Sequence, residues 1–172
     1  MKRLSMLAVG LILAIGCGSK TPTAPTTNPN QFKFTAALSP ANEVPPITNA
    51  EAGGRGTATV TMNVTKDAAG TITAATFDFT VDASGFPANT PITAAHIHPG
   101  AAGTNGGALV NMGLGAGEIV LVNGAQVITK TNLTGGTAAQ AQDMINNPAN
   151  WYFNIHSVLN GGGVARGQLV KQ

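Results

Sequence analysis

The sequence predicts an all-β protein, an antiparallel β-sandwich with one short covering helix. Several short segments rich in Thr and Val alternate apolar and polar residues, and glycine-containing turns separate them. A period of two places one face of a strand in the core, so such strands need two facing sheets to bury their apolar sides. About 140 residues follow the N-terminal region, which is enough for one domain with one core.

The clearest strands form a hairpin. From Gly56 to Val64, apolar residues at every second position alternate with Thr and Asn. A turn at residues 66–70 leads into a second strand from Ile72 to Val81, with Phe77 and Phe79 facing the core. Further strands are predicted at residues 32–36, 94–98, 108–114, 118–122, 126–129, 151–156 and 164–170.

One helix is predicted late in the chain. Thr137 is a favourable N-cap, residues 138–145 contain good helix formers, and Pro148 prevents the helix from continuing. Its length indicates a cover over one sheet rather than a second domain.

The N-terminus has the features of an export signal. Lys2 and Arg3 precede an apolar run from Leu4 to Ile15, which is too short for a membrane span. Residues 14–17 resemble a bacterial lipobox, and this resemblance implies cleavage before Cys17 and acylation of that cysteine. Cys17 is the only cysteine, and lipidation would leave no free thiol. The alternative is an ordinary secretory signal with a chance cysteine.

Three segments follow from this interpretation. Residues 1–16 are the signal peptide, residues 17–31 are a Thr- and Pro-rich tether that begins at the lipidated cysteine, and residues 32–172 are the folded domain. The expected location is the cell envelope, with the membrane as a partner through the lipid. Gly18, a residue other than Asp after the cysteine, favours the outer membrane or cell surface.

The charge balance argues against nucleic acid as a partner. The chain has nine basic and seven acidic residues, and cleavage removes Lys2 and Arg3, so the mature formal charge is zero. No basic stripe remains to hold a phosphate backbone. Charged residues make up only 9% of the chain, which suits an extracellular β protein.

The three histidines fall in phase on two predicted strands. His96 and His98 flank Ile97, and His156 follows Ile155. Because alternate residues of a strand face opposite sides, burial of the isoleucines turns all three imidazoles to the outward face. On neighbouring strands they would form one three-nitrogen site for copper or zinc. The alternative is a set of surface or hydrogen-bonded histidines with a structural role.

Four short segments together resemble the CHRD (chordin) domain. They are residues 41–46 (ANEVPP), 95–98 (AHIH), 154–156 (NIH) and 166–168 (RGQ), in the order found in that family. The resemblance extends from about residue 32 to residue 169. It implies an exported domain, and we expect its sandwich to be immunoglobulin-like or dismutase-like.

Glu43 and Arg166 lie in two of these segments and are a candidate ion pair. The family usually has an acidic residue two positions before this arginine, whereas this chain has Val164. Glu43 is the remaining candidate partner, because a buried carboxylate is rarely left unpaired. A structural role is favoured over ligand binding for both residues.

A second resemblance, to the copper site of Cu/Zn superoxide dismutase, is local. The HxH pair of residues 96–98 lies on a strand before the glycine-rich loop from Gly103 to Gly107, and a later strand supplies His156. A fourth histidine and a cysteine pair are missing from the sequence, which argues against dismutase activity. A cupin site is disfavoured too, because no Glu occurs between His98 and Leu114.

The sequence leaves two classes of function open. It has no nucleophile elbow, no suitably spaced carboxylate pair and no phosphate-binding loop, so an enzyme is less favoured. The first hypothesis is a non-catalytic extracytoplasmic binding module that engages a protein or glycan through its glycine-rich loops or a sheet face. The second is a copper- or zinc-binding protein, with redox activity as one option.

Overall fold

The computed structural model describes residues 28–172, which form two facing antiparallel sheets and one α-helix. The predicted signal peptide, Cys17 and most of the tether lie outside the described residues. The elements are β1 (Gln31–Leu38), β2 (Arg55–Lys66), β3 (Ile72–Ser84), β4 (Thr90–Pro99), β5 (Val110–Asn111), β6 (Ile119–Leu121), β7 (Gln126–Thr134), α1 (Ala138–Asn146), β8 (Trp151–Ser157), β9 (Ala165–Gln168) and β10 (Val170–Lys171), with 3-10 turns at Pro40–Asn42 and Pro148–Asn150.

The first sheet has the order β10-β1-β2-β3-β7, and the second has the order β5-β4-β8-β9, with β6 also paired to β4. This arrangement confirms the predicted all-β sandwich with one short helix. The predicted hairpin is β2 and β3, which pair along nearly their whole length. Alternation along these strands has the expected effect, since Val60, Phe77 and Phe79 are buried between the sheets. Phe79 contacts Phe153 of the second sheet, with ring centroids 5.7 Å apart.

The last strand differs from the prediction. Residues 164–170 were expected to form one strand, but β9 pairs with β8 in the second sheet and β10 pairs with β1 in the first. The chain crosses between the sheets at Leu169, which is buried. Gly167 allows this crossing, because a Cβ atom there would collide with the backbone carbonyl of Ala37. A bridge between Ser39 and Arg166 joins the two sheets at the same corner.

Helix α1 begins at the predicted cap. The Thr137 side chain accepts a hydrogen bond from the Gln140 backbone N–H, and the Gln140 side chain accepts one from the Thr137 N–H. This capping box satisfies two backbone donors at the helix start. The helix turns Ala141, Met144 and Ile145 inward, and it covers β3 as expected. Within residues 28–172, no helix is long and apolar enough to cross a membrane.

Candidate metal centre

The three histidines lie on adjacent strands of the second sheet. β4 carries His96 and His98, β8 carries His156, and the register places Asn154 opposite His96. Ile97 and Ile155 have no exposed surface and pack between the sheets. The histidines therefore lie on the other side of this sheet, because side chains alternate along each strand.

The imidazole rings are close together. One ring nitrogen of each histidine lies within 4.8 Å of those of the other two. His96 Nδ1 and His156 Nε2 are 3.0 Å apart, and the His96 and His98 ring centroids are 5.4 Å apart. The chain thus brings together the three histidines that its sequence singled out.

The cluster is not on the open surface of the sheet. His98 and His156 are only 6% and 8% exposed, and His96 is partly buried. All seven residues of β8 are buried, so the side of this strand that faces away from the first sheet is covered too. Backbone carbonyls from the loop after β4 and from the loop after β8 contact the rings directly. These loops turn an outward-facing patch into an enclosed site.

These loop contacts fix the proton positions on two rings. His98 Nδ1 lies 3.0 Å from the carbonyl oxygen of Gly106, and His156 Nδ1 lies 3.0 Å from that of Gly161. A carbonyl oxygen can only accept, so each Nδ1 carries the proton and donates it. In a neutral ring the Nε2 atom then has a free lone pair. Metal-binding histidines commonly donate their second ring N–H to a carbonyl in this way.

Asn154 holds an oxygen between the two free nitrogens. Its Oδ1 is 2.9 Å from His98 Nε2 and 3.1 Å from His156 Nε2. Its amide nitrogen is on the Glu43 side, since both groups would contact a Cβ atom on Gly163. His96 can donate its Nδ1 proton to His156, but His98 Nε2 and Asn154 Oδ1 still face each other as two acceptors. A cation between them would relieve this repulsion.

The electrostatic surroundings keep the rings neutral. Burial, together with the neighbouring His156 and His98, lowers the pKa of His96 to about 4. Burial also lowers the pKa of His98 and His156, although their hydrogen bonds to the carbonyls of Gly106 and Gly161 act in the opposite direction. Near pH 7 all three imidazoles are therefore neutral, and each has one nitrogen with a lone pair for a metal.

A stack of side chains connects the cluster to Arg166. The Tyr152 ring is parallel to the His98 ring, with centroids 4.7 Å apart and an interplanar angle of 4°. On the Tyr152 ring lies the Arg166 guanidinium, with its Cζ 4.3 Å from the ring centroid. Gly106 N–H donates to the Tyr152 hydroxyl, which ties the loop after β4 to this stack.

Glu43 and Arg166 are both buried and line one cavity, but they do not form a direct ion pair. In the described part of the chain, the one ion pair within 4 Å joins Lys130 and Glu118. Glu43 Oε1 and Arg166 Nη2 have no hydrogen-bond partner. Burial raises the Glu43 pKa to about 7, and the charge of Arg166 and the nearby Asn154 amide oppose this shift.

The histidines were predicted from the sequence, but the residues that orient them were not. Asn154 and Tyr152 lie on the same face of β8 as His156, because side chains alternate along a strand. This alternation in the sequence indicates that the three side chains are neighbours. Gly106 and Gly161 contribute through their carbonyl oxygens, which no side-chain pattern marks. The glycine-rich loop from Gly103 to Gly107, one of the surfaces expected to engage a partner, forms part of the wall of the cluster through the Gly106 carbonyl.

Comparison with known proteins gives a family. The model of the CHRD domain matches residues 34–169, well over half of the chain. No curated protein and no solved structure was found to match. The matched segment extends from β1 to the crossing between the sheets and includes all three histidines, Glu43 and Arg166. The chain belongs to the CHRD domain family.

Proposed function

We propose that this chain is a non-catalytic binding module of the cell envelope that holds one transition-metal ion through His96, His98 and His156. The observation that carries the proposal is the pair of Nδ1–H donations to backbone carbonyls. They direct the free Nε2 lone pairs of His98 and His156 toward each other and toward His96. Membership in the CHRD family supports a binding module rather than an enzyme.

The spacing suits a metal with little rearrangement. Imidazole nitrogens bind zinc at about 2.0–2.1 Å, so two ligands of one ion are at most about 4 Å apart. The nitrogens here are within 4.8 Å, and a closure of about 1.5 Å or less brings them to the roughly 3.3 Å between ligands of a tetrahedral zinc. Imidazole favours copper and zinc, and Cu(II) has the highest affinity among the divalent first-row ions. Asn154 Oδ1 is in place as a fourth, oxygen ligand.

A titration of the metal-free full chain with Cu(II), followed by electron paramagnetic resonance, tests this proposal. We expect one equivalent of copper with nitrogen hyperfine structure, and this signal should persist when an equal amount of zinc is added, because Cu(II) has the higher affinity. His96→Gln, His98→Gln and His156→Gln should each weaken binding by about tenfold or more, since each removes one nitrogen ligand.

Asn111→Ala is the matched control, because Asn111 is exposed and lies opposite His96 on β5 without belonging to the cluster. It should bind copper like the natural chain, and circular dichroism should show that all variants remain folded. A copper spectrum that is identical in the natural chain and the triple histidine variant would contradict the proposal, provided that neither chain binds zinc.

Affinity should depend weakly on pH near neutrality. Protonated imidazole cannot bind a metal, but burial lowers the pKa of all three rings. We expect binding to persist below pH 6.5 and to be lost toward pH 4. Loss of copper with a midpoint near 6.5 would indicate exposed, unperturbed histidines instead.

The envelope location rests on the sequence of residues 1–17. Acylation of Cys17 would hold the domain at a membrane, because two or more lipid chains give stable anchoring. Mass spectrometry of the mature protein should show a lipidated Cys17, and Cys17→Ser should release the chain from the membrane fraction. An unmodified N-terminus would refute the anchor and leave the metal proposal intact.

The exposed face of the first sheet supports a second candidate, a neutral glycan as the partner. Thr35, Thr59, Thr80 and Thr129 are register neighbours across four strands and form a row of hydroxyl groups on that face. Such a row of hydroxyl groups offers hydrogen-bond donors and acceptors to the hydroxyl groups of a neutral polysaccharide. Affinity electrophoresis in dextran or xylan gels should retard the natural chain more than Thr59→Lys. Equal mobility in all gels would argue against this candidate.

A further inference from the structure

A cavity of about 630 Å³ lies beside the histidine cluster, and none of the three histidines lines it. Two loop segments and β9 line it, and one side is open to solvent. Its walls are largely apolar, from Ala41, Val44, Pro46 and Ala102, and two ionisable side chains, Glu43 and Arg166, line it as well. The volume is in the usual range for small-molecule sites, roughly 300–1,000 Å³.

The Arg166 guanidinium at this cavity is incompletely satisfied. Arg166 is 1% exposed, and its Nη1 donates to the Thr104 carbonyl and to Asn105 Oδ1, both at 3.0 Å. Its Nη2 is buried without any acceptor. A buried donor that lacks an acceptor costs free energy, and the cost is greater for a charged group.

The cavity is held in shape by the same residues. The Asn105 side chain accepts a hydrogen bond from Arg166 and donates one to the Val44 carbonyl at 3.0 Å. It therefore links Arg166 to Val44 across the cavity. The Asn42 side chain donates a hydrogen bond to the Arg166 carbonyl at 3.1 Å, which attaches the segment before Val44 to β9. These contacts indicate a preformed site.

We propose that this cavity binds a small aliphatic monocarboxylate, with its carboxylate accepting from Arg166 and its alkyl chain packed against Val44, Pro46 and Ala102. Arginine is the side chain best suited to carboxylate recognition, and its hydrogen bonds to carboxylates are charge-assisted. The apolar walls favour an alkyl chain over a polar one.

Glu43 is compatible with a singly charged ligand. It forms no ion pair with Arg166, so the positive charge at the cavity is not cancelled by contact. Its raised pKa means that a substantial part of this carboxyl group is neutral near pH 7 and able to donate a hydrogen bond. When Glu43 ionises, it repels a doubly charged anion more strongly than a singly charged one.

Sodium butyrate and its neutral analogue butyramide test this proposal. In an NMR titration of the purified full chain, butyrate should give saturable chemical-shift changes at residues that line the cavity. Butyramide should bind roughly tenfold more weakly or worse, because it lacks the charge that strengthens the hydrogen bond to arginine.

Ala102→Trp should abolish butyrate binding by filling the cavity. Ala101→Trp is its matched control, since Ala101 is the neighbouring exposed residue and does not line the cavity. Because both positions are exposed, neither change should unfold the chain. The proposal is overturned if butyrate shifts do not saturate, if butyramide binds equally well, or if Ala102→Trp binds butyrate like Ala101→Trp.

Discussion

At the scale of single residues, the histidine cluster depends on a close approach at Gly163. This residue has a φ of +135°, and a Cβ atom there would be 2.7 Å from Asn154 Nδ2 and 2.8 Å from the Glu43 carboxylate oxygens. The missing side chain thus lets Glu43 come up to the Asn154 amide, whose oxygen faces two histidines. Gly163 determines the amide position although it contacts no imidazole.

Gly163→Ala should therefore destabilise the fold and weaken copper binding together. We expect a loss of roughly 1–3 kcal/mol from the unfavourable backbone conformation alone. Gly162→Ala is the matched control, because its Cβ would meet no atom within 4 Å. Urea denaturation and copper titration of both variants check this prediction, and equal behaviour of the two would show that the approach at Gly163 is unimportant.

The pKa shifts predict how stability depends on pH. The histidine pKa values are lowered in the folded chain, so unfolding takes up protons below pH 6.5, and stability falls from there toward pH 4. Glu43 has the opposite effect, because its raised pKa stabilises the fold at low pH and this contribution is lost as pH rises from 4.5 to about 7. Because three histidines oppose one carboxyl group, the stability of the fold decreases overall as the pH falls.

Glu43→Gln should make the decrease in folding stability with falling pH steeper. Between pH 7 and pH 5 we expect the variant to lose about 1–2 kcal/mol more than the natural chain, since the compensating protonation is gone. Urea denaturation of the metal-free proteins at both pH values measures the difference. A smaller loss in the variant would mean that the Glu43 pKa is not raised.

The three histidines of the candidate site could be predicted from the sequence, but their surroundings could not. The phase of Ile97 and Ile155 was sufficient to place three imidazoles on one side of the sheet. Their burial could not be foreseen, since it depends on loops that fold back over the strands. The contacts from Gly106 and Gly161 are made by backbone atoms, which have no specific side-chain signature.

At the scale of elements, local signals were reliable where a segment forms its structure with its immediate neighbours. The β2–β3 hairpin and the start of α1 depend on alternation and on a capping residue, both readable in the sequence. The division between β9 and β10 was missed because the sequence has no glycine or proline between Gln168 and Val170 that would indicate a break in the strand. That division is imposed by pairing with β1, which is far away in the sequence.

Thr137→Ala tests the capping box. Loss of the hydroxyl leaves the Gln140 N–H without its acceptor, and we expect about 1 kcal/mol of destabilisation. Thr137→Ser keeps the oxygen and should retain most of the stability. Thermal denaturation followed by circular dichroism compares the two, and equal melting temperatures for Ala and Ser would exclude a contribution from the cap.

At the scale of the whole molecule, the two sheets are joined by the crossing at Leu169. This side chain is 1% exposed, and its backbone N–H donates to the Trp151 carbonyl at 2.9 Å. On either side of it the chain belongs to different sheets. The crossing therefore contributes to the packing of one sheet on the other.

Leu169→Ala should destabilise the whole domain by about 2–5 kcal/mol, because it removes buried apolar volume at the junction. Val170→Ala is the matched control, since Val170 is 57% exposed and is expected to change stability by no more than about 0.5 kcal/mol. Urea denaturation should show one cooperative transition for both variants. A Leu169→Ala chain as stable as Val170→Ala would mean that the junction is not important for sheet packing.

The position of β1 has a mechanical consequence. Of the strands in residues 28–172 it is the first, and it lies between β2 and β10 rather than at an edge. Interstrand hydrogen bonds are perpendicular to antiparallel strands, so a pull along β1 shears two ladders at once instead of opening one bond after another. The bridge from Ser39 to Arg166 adds resistance from the second sheet. A domain held in flow by its N-terminus would thus withstand forces that unravel one suspended from an edge strand.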